Sequence, residues 1–360
     1  MIRPIRIAER LVGPGQPTYV VAELSANHRG RLDDALAIVE AAAEAGADAV
    51  KLQTYTPDSL TIRSARDEFR VGSGSLWAGR TLYDLYAEAQ TPWEWHAPLA
   101  ARARELGLDF FSTPFDAQAV AALDALGVRV FKIASFELID TALLQEVARR
   151  GKPVILSTGL ATHAELIEAV GTLRSAGCRE LALLKCTSAY PAPPDEMNLR
   201  AIPAWQAEFE LPVGLSDHTL SSVSAVAAVA LGASIVEKHL TLSRAAGGPD
   251  AAFSLEPAEF ADLVRSVRTA EQSLGSAEFE LGPAEAANRA FRRSLFVVAD
   301  MRAGEPFTTA NVRSIRPGQG LAPKHLPAVL GARAACDIAR GTPLAWSFLR
   351  QPDEAGRKAD

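Results

Sequence analysis

The sequence predicts a (β/α)8 TIM barrel, an α/β fold, followed by a small C-terminal β-rich domain. Before residue 275, short apolar runs rich in β-branched residues alternate eight times with Ala-rich amphipathic segments. The runs are hydrophobic almost throughout, as expected for parallel strands that are covered on both faces. After residue 275 this rhythm gives way to short strand-like pieces. A doubly wound open sheet is the alternative, but the count closes at eight and no GxGxxG follows the first strand.

The predicted strands and helices follow one another in strict alternation. The strands are predicted at 19–25, 49–54, 109–114, 130–135, 153–158, 180–187, 212–217 and 234–241. The helices are predicted at 32–45, 93–106, 117–126, 141–150, 163–176, 199–208, 221–231 and 257–274. Glycines such as Gly46 and Gly107 follow many of these helices, as expected where a helix closes into a left-handed turn.

Three segments follow from this pattern: a catalytic barrel at 1–276, a linker at 277–293 and a small domain at 294–360. The small domain contains an internal echo, because ADMRAGEPF at 299–307 resembles CDIARGTPL at 336–344. A turn-plus-strand unit that occurs twice predicts a small pseudo-symmetric β domain rather than a solenoid.

One connection of the barrel is unusually long. Residues 55–91, between the second strand and its helix, contain GSGSLWAGRTLYDLY. Connections of this length in compact domains are usually functional or mobile, so we expect a lid or a dimer contact here.

Composition and charge exclude several classes of protein. The chain has 360 residues, of which 48% are hydrophobic, so a large core is expected. A net charge of −6 argues against a nucleic-acid-binding protein. The longest apolar stretch, 223–236, is interrupted by Gly232 and is too short to span a bilayer, and no secretory signal is visible. Three widely spaced cysteines fit a reducing cytoplasm better than a disulfide framework.

Polar residues gather at the carboxyl ends of all eight predicted strands. These ends read AELSANH, KLQTY, FSTPFD, FKIASFE, ILSTG, LKCTSAYP, GLSDHT and EKHLT. In a barrel such ends converge on one cavity, whereas the opposite ends serve stability. Eight polar ends together therefore predict an enzyme.

Two lysines at these ends are candidates for binding an anion. We expect Lys51 and Lys132 to stand in the cavity and, with nearby hydroxyl groups, to form a cradle for phosphate or carboxylate. The hydroxyls are those of Thr113, Ser135, Ser157 and Ser216. The alternative is that the lysines pair with Glu23 or Glu137 and only hold the barrel together. Lys185 and Lys238 alternate out of phase, so a solvated or helix-facing position is expected for them.

His218 and His239 lie near the ends of the last two strands, which are neighbours in a closed barrel. Two neutral imidazoles there could hold a divalent metal and leave positions open for substrate and water, although a hydrogen-bonded structural role is the alternative. His28 has the same placement on the first strand and either lines the substrate site or is structural. The remaining histidines, His96, His163 and His325, are expected at the surface.

Two further features have a plain interpretation. The segment TPWEWH at 91–96 could be a carbohydrate platform, but Trp93 and Trp95 at a helix start more often pack the helix, which we prefer. Cys186 lies within the sixth strand without a base at an obvious spacing, so it is not interpreted as a nucleophile.

The same strand ends closely resemble those of the sialic-acid synthase family. These enzymes condense phosphoenolpyruvate with an N-acetylated amino sugar. The resemblance extends to the C-terminal part, which is similar to the family's antifreeze-like (SAF, β-clip) domain. Within the family, AELSANH, KLQTYTPDSLTI, TLYDLY, TPWEWH and LKCTSAYP are most similar to the pseudaminic acid synthase branch. The resemblance also implies a domain-swapped homodimer.

The resemblance implies a role for each matching residue. Phosphoenolpyruvate would be held by Lys51, Gln53, Thr113, Lys132, Ser135, Ser157, Ser188 and Ser216. The sugar would be contacted by Glu23, Asn27, His28, Tyr190, Asp250 and, from the partner subunit's C-terminal domain, Arg316. A divalent metal, most often manganese with magnesium and cobalt as alternatives, would be bound by His218 and His239. The catalytic set is then Glu23, Lys51, Lys132, His218 and His239.

Two positions depart from the family's pattern. Ser188 stands where the sialic-acid branch has asparagine, and Arg29 stands where many relatives have asparagine. Three other functions are weighed: an N-acetylneuraminate or legionaminate synthase, a heptulosonate-class synthase, and an ice- or ligand-binding protein with a degenerate barrel. The polar strand ends argue against the last, and the SAF-like domain and the two histidine motifs argue against the heptulosonate class.

Overall fold

The structure is a computed structural model that describes residues 2–276 and 281–350. It divides into two compact units, Met1–Gly275 and Ser276–Asp360, and each is described by itself. The predicted linker residues 277–280 and the predicted end of the small domain, 351–360, lie outside the described residues.

The first unit is a closed barrel of eight parallel strands, which confirms the predicted fold class. The strands are β3 (Tyr19–Glu23), β4 (Ala49–Thr54), β5 (Asp109–Pro114), β6 (Phe131–Ile133), β7 (Val154–Ser157), β8 (Leu181–Cys186), β9 (Val213–Asp217) and β10 (Ile235–His239). Neighbours in the chain are neighbours in the barrel, and β10 closes against β3. Each strand lies inside the predicted range or matches it, because continuous apolar runs are a strong signal for buried parallel strands.

The helices pack around the outside of these strands. They are α1 (Leu32–Glu44), α2 (Pro57–Leu60), α3 (Leu82–Ala89), α4 (His96–Glu105), α5 (Ala117–Leu126), α6 (Thr141–Ala148), α7 (His163–Ser175), α8 (Ala201–Phe209), α9 (Val223–Ala230) and α10 (Pro257–Leu274). Two large apolar clusters fill the space between strands and helices. No helix of the described residues is both long enough and apolar enough to cross a membrane.

An antiparallel hairpin precedes the barrel and was not predicted. It consists of β1 (Ile5–Ile7) and β2 (Arg10–Val12). Ile5, Ile7 and Val12 pack with the inward-facing residues at the amino ends of the strands, such as Phe111 and Ile235. The strands are therefore mostly apolar inside at this end, where Asp109 accepts from the Tyr19 hydroxyl at 2.9 Å, and most of their polar inward residues lie toward the carboxyl ends.

The long connection 55–91 is more ordered than a loop. It contains α2, α3 and a short 3₁₀ turn at Asp67–Phe69. Between the turn and α3 the chain forms a hairpin-like excursion, in which Val71 and Arg80 are hydrogen-bonded and Arg70 bridges Thr81.

The second unit is small and β-rich, and the internal echo organises it. It contains β11 (Ser294–Val297) antiparallel to β12 (Val312–Ile315), with α11 (Pro283–Ala287) before them and α12 (Leu326–Val329) after them. The two copies of the echo pair with each other, since Met301 and Ile338 exchange both backbone hydrogen bonds. Gly304 and Gly341, at equivalent places, both adopt positive φ in tight turns. Within the segment predicted as a linker, Pro283–Ala287 forms the short helix α11.

Candidate active site

The two predicted lysines lie in one buried chamber together with two carboxylates. Lys51 forms an ion pair with Glu23, and its ammonium nitrogen lies 3.9 Å from Glu237 Oε1. Lys132 donates to the same Glu237 oxygen at 3.2 Å. All four residues are almost completely buried. The alternative in which Glu137 pairs with a lysine is not what the structure shows, because Glu237 takes that place.

Burial and mutual attraction set the charges in this quartet. Burial lowers the pKa of both lysines, but at Lys51 the carboxylates of Glu23 and Glu237 together outweigh burial and the pKa is raised overall. At Lys132 burial prevails over Glu237, and the pKa is lowered. Burial raises the pKa of Glu23, whereas at Glu237 burial is outweighed by the two lysines and the pKa is lowered. Glu237 is thus the firmly ionised partner, and Glu23 is the carboxylate that takes up a proton more readily.

Hydroxyl groups surround the lysines, as the sequence predicted. Thr113 accepts a 3.4 Å hydrogen bond from Lys51, and Ser216 donates to Glu237 at 3.1 Å. The Ser157 hydroxyl is buried and has no partner within the described residues. A buried hydroxyl without a partner is costly unless a ligand satisfies it, so Ser157 is suited to contact a bound anion.

A cradle beside this quartet is formed around Gly159. Its backbone N–H donates to Ser135 Oγ at 3.0 Å. A Cβ at this position would lie 2.2 Å from Ser188 Oγ and 2.8 Å from Ser135 Oγ, so only glycine leaves the hydroxyls accessible. The Gly159 N–H orients the Ser135 hydroxyl, which can in turn donate to a bound anion.

The two predicted metal ligands lie side by side. The ring centroids of His218 and His239 are 5.4 Å apart. His218 Nδ1 lies 3.0 Å from the Thr187 carbonyl oxygen, which makes this nitrogen the donor and leaves Nε2 for a ligand. His239 Nδ1 is buried and has no partner within the described residues. Burial, followed by nearby positive groups, holds the pKa of His239 well below its usual value, so the imidazole is neutral.

These two imidazoles fit a divalent metal as part of an open coordination sphere. In the described part of the chain, no group of three or more His, Cys, Asp or Glu side chains is arranged to hold a metal. Two protein nitrogens would leave the other positions to substrate oxygens and water, whereas a structural metal site is closed by four protein ligands.

The predicted sugar-contacting residues divide into two groups. Asp250 is joined to the chamber because it accepts from Ser25 Oγ, which in turn accepts from Gln53 Nε2 at 3.0 Å. Burial raises the pKa of Asp250. Tyr190 packs on His218, with ring centroids 4.5 Å apart, and both contact Phe253.

Asn27 and His28, predicted to contact the sugar, are hydrogen-bonded within the protein, although Asn27 Oδ1 is buried without a partner in the described residues. The sugar contact stays a prediction for both. Asn27 Nδ2 donates to the Leu240 carbonyl and to Ser254 Oγ, both at 2.9 Å. His28 is completely buried; its Nδ1 accepts from the Gly30 N–H, and its other nitrogen lies 3.3 Å from Thr91 Oγ1. Burial lowers its pKa to about 4. A loop at the end of β3 turns this ring away from the chamber, which strand periodicity does not reveal.

The remaining histidines and the two tryptophans of the segment 91–96 differ in burial. His96, predicted at the surface, is buried and lies 2.7 Å from Thr54 Oγ1; His163 is exposed as predicted. His325 is partly buried against Trp346. Trp93 and Trp95 pack as preferred, the first donating to the Tyr55 carbonyl and the second lying against the His28 ring.

The two out-of-phase lysines are not solvated. Lys238 is completely buried and forms a 2.8 Å ion pair with Asp217 on the outer side of the barrel. Burial lowers its pKa, although Asp217 opposes this shift. Lys185 is also buried and donates to the Cys186 carbonyl at 2.9 Å. The helix-facing position expected for these lysines describes Lys238, whereas solvent exposure is wrong for both. A lysine is buried only where it finds a partner, and strand alternation does not show that partner.

Two carboxylates in or near the site were not predicted as site residues. Glu237 has the same strand parity as His239, which was the available signal. Glu137 lies in a 3₁₀ turn after β6, and its Oε2 is buried without a partner in the described part of the chain. Burial raises the pKa of Glu137 to about 7.

Arg316 belongs to the second unit and is described there. It lines a cavity of about 600 Å³ with Asn288, Phe291, Arg292 and Arg293. Three guanidinium groups around one cavity present a local positive charge in a chain that is acidic overall.

The raised pKa of Glu137 predicts a pH-dependent stability. A carboxyl whose folded-state pKa lies above its unfolded value makes the folded state less stable as pH rises through that interval, here from 4.5 to about 7. We expect the wild type to lose stability relative to Glu137→Gln across this interval and the difference to level off above it. Urea denaturation at several pH values measures the difference. If the exposed Glu168→Gln shows the same pH dependence, the assignment to Glu137 is wrong.

Comparisons with known proteins identify relatives along nearly the whole chain. The profile of the NeuB family matches residues 38–279, and that of the SAF domain matches residues 292–350. The chain is 43% identical to a pseudaminic acid synthase from Campylobacter jejuni, over 92% of this chain and 96% of that protein. It is 36% identical to an N,N'-diacetyllegionaminic acid synthase from Legionella pneumophila, over 94% and 96%. The crystal structure of N-acetylneuraminic acid synthetase from Leptospira borgpetersenii, in complex with citrate, superposes with a TM-score of 0.72 and 32% identity, over 80% of this chain and 95% of that chain.

Proposed function

This chain belongs to the NeuB family and is a phosphoenolpyruvate-dependent transferase, and we propose that it is a pseudaminic acid synthase. The reaction would condense phosphoenolpyruvate, 2,4-diacetamido-2,4,6-trideoxy-β-L-altropyranose and water to give pseudaminic acid and phosphate. The observation that carries the proposal is that two buried lysines, a group of hydroxyls around Gly159 and two neighbouring imidazoles all lie at the carboxyl ends of the strands of one closed barrel.

The lysines and the cradle would bind phosphoenolpyruvate. Lys51 and Lys132 carry the positive charge for its carboxylate and phosphate, and the hydroxyls of Ser135, Ser157 and Ser188 supply neutral donors. Gln53, Thr113 and Ser216 complete the proposed binding set around the lysines. Because these groups are already buried and ordered, they would stabilise developing charge with little reorganisation.

The bond changes follow from the substrates. C3 of phosphoenolpyruvate attacks the aldehyde carbon of the open-chain sugar and forms the new C–C bond. Water adds to the electron-deficient C2, and the resulting tetrahedral carbon expels phosphate by C–O cleavage, which leaves the keto acid. This chain's part is to hold the two reactants in contact and to move protons.

Glu23 and Glu137 are the candidates for proton transfer. Burial raises the pKa of both, that of Glu137 to about 7, which is close to the pH at which a general acid or base is most effective. Glu23 also touches Lys51, so a proton gained or lost there changes the electrostatic environment of the phosphoenolpyruvate site.

His218 and His239 are the proposed ligands of a divalent cation, which we propose is manganese, with magnesium or cobalt as alternatives. When bound, such a cation supplies Lewis-acid polarisation of a substrate oxygen. The support is chemical: one imidazole has its other nitrogen oriented by a carbonyl, and the second has a buried nitrogen without a partner in the described residues.

The identity of the sugar rests on the relatives. Identity to the pseudaminic acid synthase of C. jejuni is 43%, against 36% to the legionaminic acid synthase of L. pneumophila. The alternative is therefore an N-acetylneuraminate or legionaminate synthase that performs the same chemistry on another N-acetylated amino sugar.

A domain-swapped homodimer is proposed for the assembly. Large apolar side chains are exposed after three strands on the substrate side of the barrel: Phe136, Ile139, Leu160, Leu220 and Val223. An apolar rim of this kind would be covered by a second copy, whose Arg316 would reach the sugar.

The three free thiols support a reducing cytoplasm as the compartment.

Phosphate release from phosphoenolpyruvate tests the function directly. With manganese present, release should require 2,4-diacetamido-2,4,6-trideoxyaltrose and should be much slower with N-acetylmannosamine or with the legionaminate precursor. Preference for either of the other sugars would replace the proposed substrate, and release with no sugar of the panel would contradict the synthase assignment.

Loss of one imidazole should remove the metal. We expect His239→Ala to lower turnover by more than about 100-fold, because the loss of even an outer-shell partner of a metal site costs 10–100-fold. Manganese binding measured by calorimetry should be lost in parallel, while the thermal melt stays cooperative. The exposed His163→Ala is the matched control. Unchanged manganese binding in His239→Ala would remove this residue from the ligand set.

Complementation tests the action of Arg316 across subunits. Arg316→Ala should raise the KM for the sugar, and mixing it with His239→Ala after dissociation should restore part of the activity, since one site of the heterodimer keeps both residues. Arg302→Ala, another exposed arginine of the second unit, is the control. Absence of any restored activity would contradict the swapped arrangement.

A further inference from the structure

A column of aromatic rings extends outward from the two imidazoles of the active site. Phe253 lies 4.9 Å from His239 and 5.0 Å from Tyr190, measured between ring centroids. Trp77 continues the column at 5.8 Å from Tyr190 and 6.4 Å from Phe253. The chamber therefore has a cationic end at the lysines and an aromatic end that terminates at Trp77.

Trp77 reaches this place from a distant segment. It lies near the tip of the excursion at 70–81, where glycines such as Gly72 and Gly74 are exposed. The indole Nε1 donates a 2.8 Å hydrogen bond to the carbonyl of Pro249, the residue immediately before Asp250. The tip thus brings a large aromatic side chain to the loop that contains Asp250, which is predicted to contact the sugar.

The position of Trp77 is not that of an ordinary core residue. Its neighbour Leu76 is 51% exposed, and Trp77 itself is only partly buried. Trp77 belongs to none of the apolar clusters that fill the barrel or the space beneath the helices. A tryptophan that is held by one hydrogen bond over a substrate chamber leaves one part of its ring surface available for a ligand.

The polar atoms of these rings are directed elsewhere. The indole N–H is used by Pro249, and the Tyr190 hydroxyl interacts with Ser188 on the side of the phosphate cradle. Phe253 has no polar atom. Phe253 is fully buried behind the other two rings, so the ring faces of Trp77 and Tyr190 form the accessible surface. A hydroxyl group placed against these ring faces would lose hydration without gaining a partner.

We infer that Trp77 determines sugar specificity by forming an apolar wall against the 6-deoxy end of the sugar. This inference rests on the proposed function and adds the residue that would select a methyl group over a hydroxymethyl group at C6. The aldehyde carbon of the sugar must meet C3 of phosphoenolpyruvate near the lysines, so C6, at the other end of the sugar chain, would lie toward Trp77 at the outer end of the column. Trp77 would therefore act on the sugar and not on phosphoenolpyruvate. The two sugars differ by one hydroxyl group, and an apolar pocket rejects an added hydroxyl by about 100-fold in kcat/KM.

Steady-state phosphate release with two sugars tests the role of Trp77. For wild type, Trp77→Ala and Trp77→Phe, kcat/KM is measured with 2,4-diacetamido-2,4,6-trideoxyaltrose and with its 6-hydroxy counterpart. Trp77→Ala should lower the preference for the 6-deoxy sugar by about 10-fold or more, through the KM of that sugar, with the KM of phosphoenolpyruvate unchanged. Trp77→Phe keeps an aromatic wall but loses the bond to Pro249, and most of the preference should remain.

Leu76→Ala, next to Trp77 on the same excursion, is the matched control and should behave like wild type. A 6-deoxy preference that survives in Trp77→Ala would overturn the inference while leaving the proposed function intact. An equal rise in the KM of the sugar and of phosphoenolpyruvate in Trp77→Ala would also overturn it, because it indicates general distortion of the site. The same loss of 6-deoxy preference in Leu76→Ala would overturn it for the same reason. If the wild type prefers the 6-hydroxy sugar or uses neither, the proposed function itself fails, and the inference fails with it.

Discussion

The active site depends on keeping two ammonium groups inside a barrel without losing their charge. Lys51 and Lys132 are almost completely buried, and each is stabilised by a carboxylate on another strand. Removing one member of such a pair leaves an uncompensated buried charge, which costs about 3–5 kcal/mol. The closed barrel makes the pairing possible, because β4 and β6 bring the lysines toward Glu237 on β10, across the interior.

This constraint divides the barrel along its axis. The inward residues at the amino ends of the strands are mostly apolar and are covered by the N-terminal hairpin, so this end is a closed core. The inward residues at the carboxyl ends are charged, hydroxylated or imidazole side chains, so this end holds a ligand. The buried Lys238–Asp217 pair lies on the opposite side of β9 and β10, beside the two proposed metal ligands. A pair that is held by packing and by backbone carbonyls of the following loop gives His218 and His239 a rigid support.

Much of the site follows from the alternation of side chains along strands. Lys51 and Gln53, or Glu237 and His239, face the same way because strand residues alternate, and a closed barrel directs all such faces inward. The rule gave the correct side for the lysines and for the paired histidines. It failed just beyond the strand ends. His28 follows a turn that begins at Ser25, a residue with positive φ, and the turn directs the ring toward Trp95.

The sequence by itself determined the (β/α)8 barrel, the small β domain with its repeated unit and the group of polar strand ends, because hydrophobic periodicity is a local property of the chain. Only the tertiary structure decided that Glu237 rather than Glu137 pairs with Lys132, that His96 and Lys238 are buried, and that Trp77 lies beside Tyr190. These facts depend on which residues meet across the barrel or between loops far apart in the chain. No local pattern specifies such meetings, since they result from the closure of the barrel and the packing of its connections.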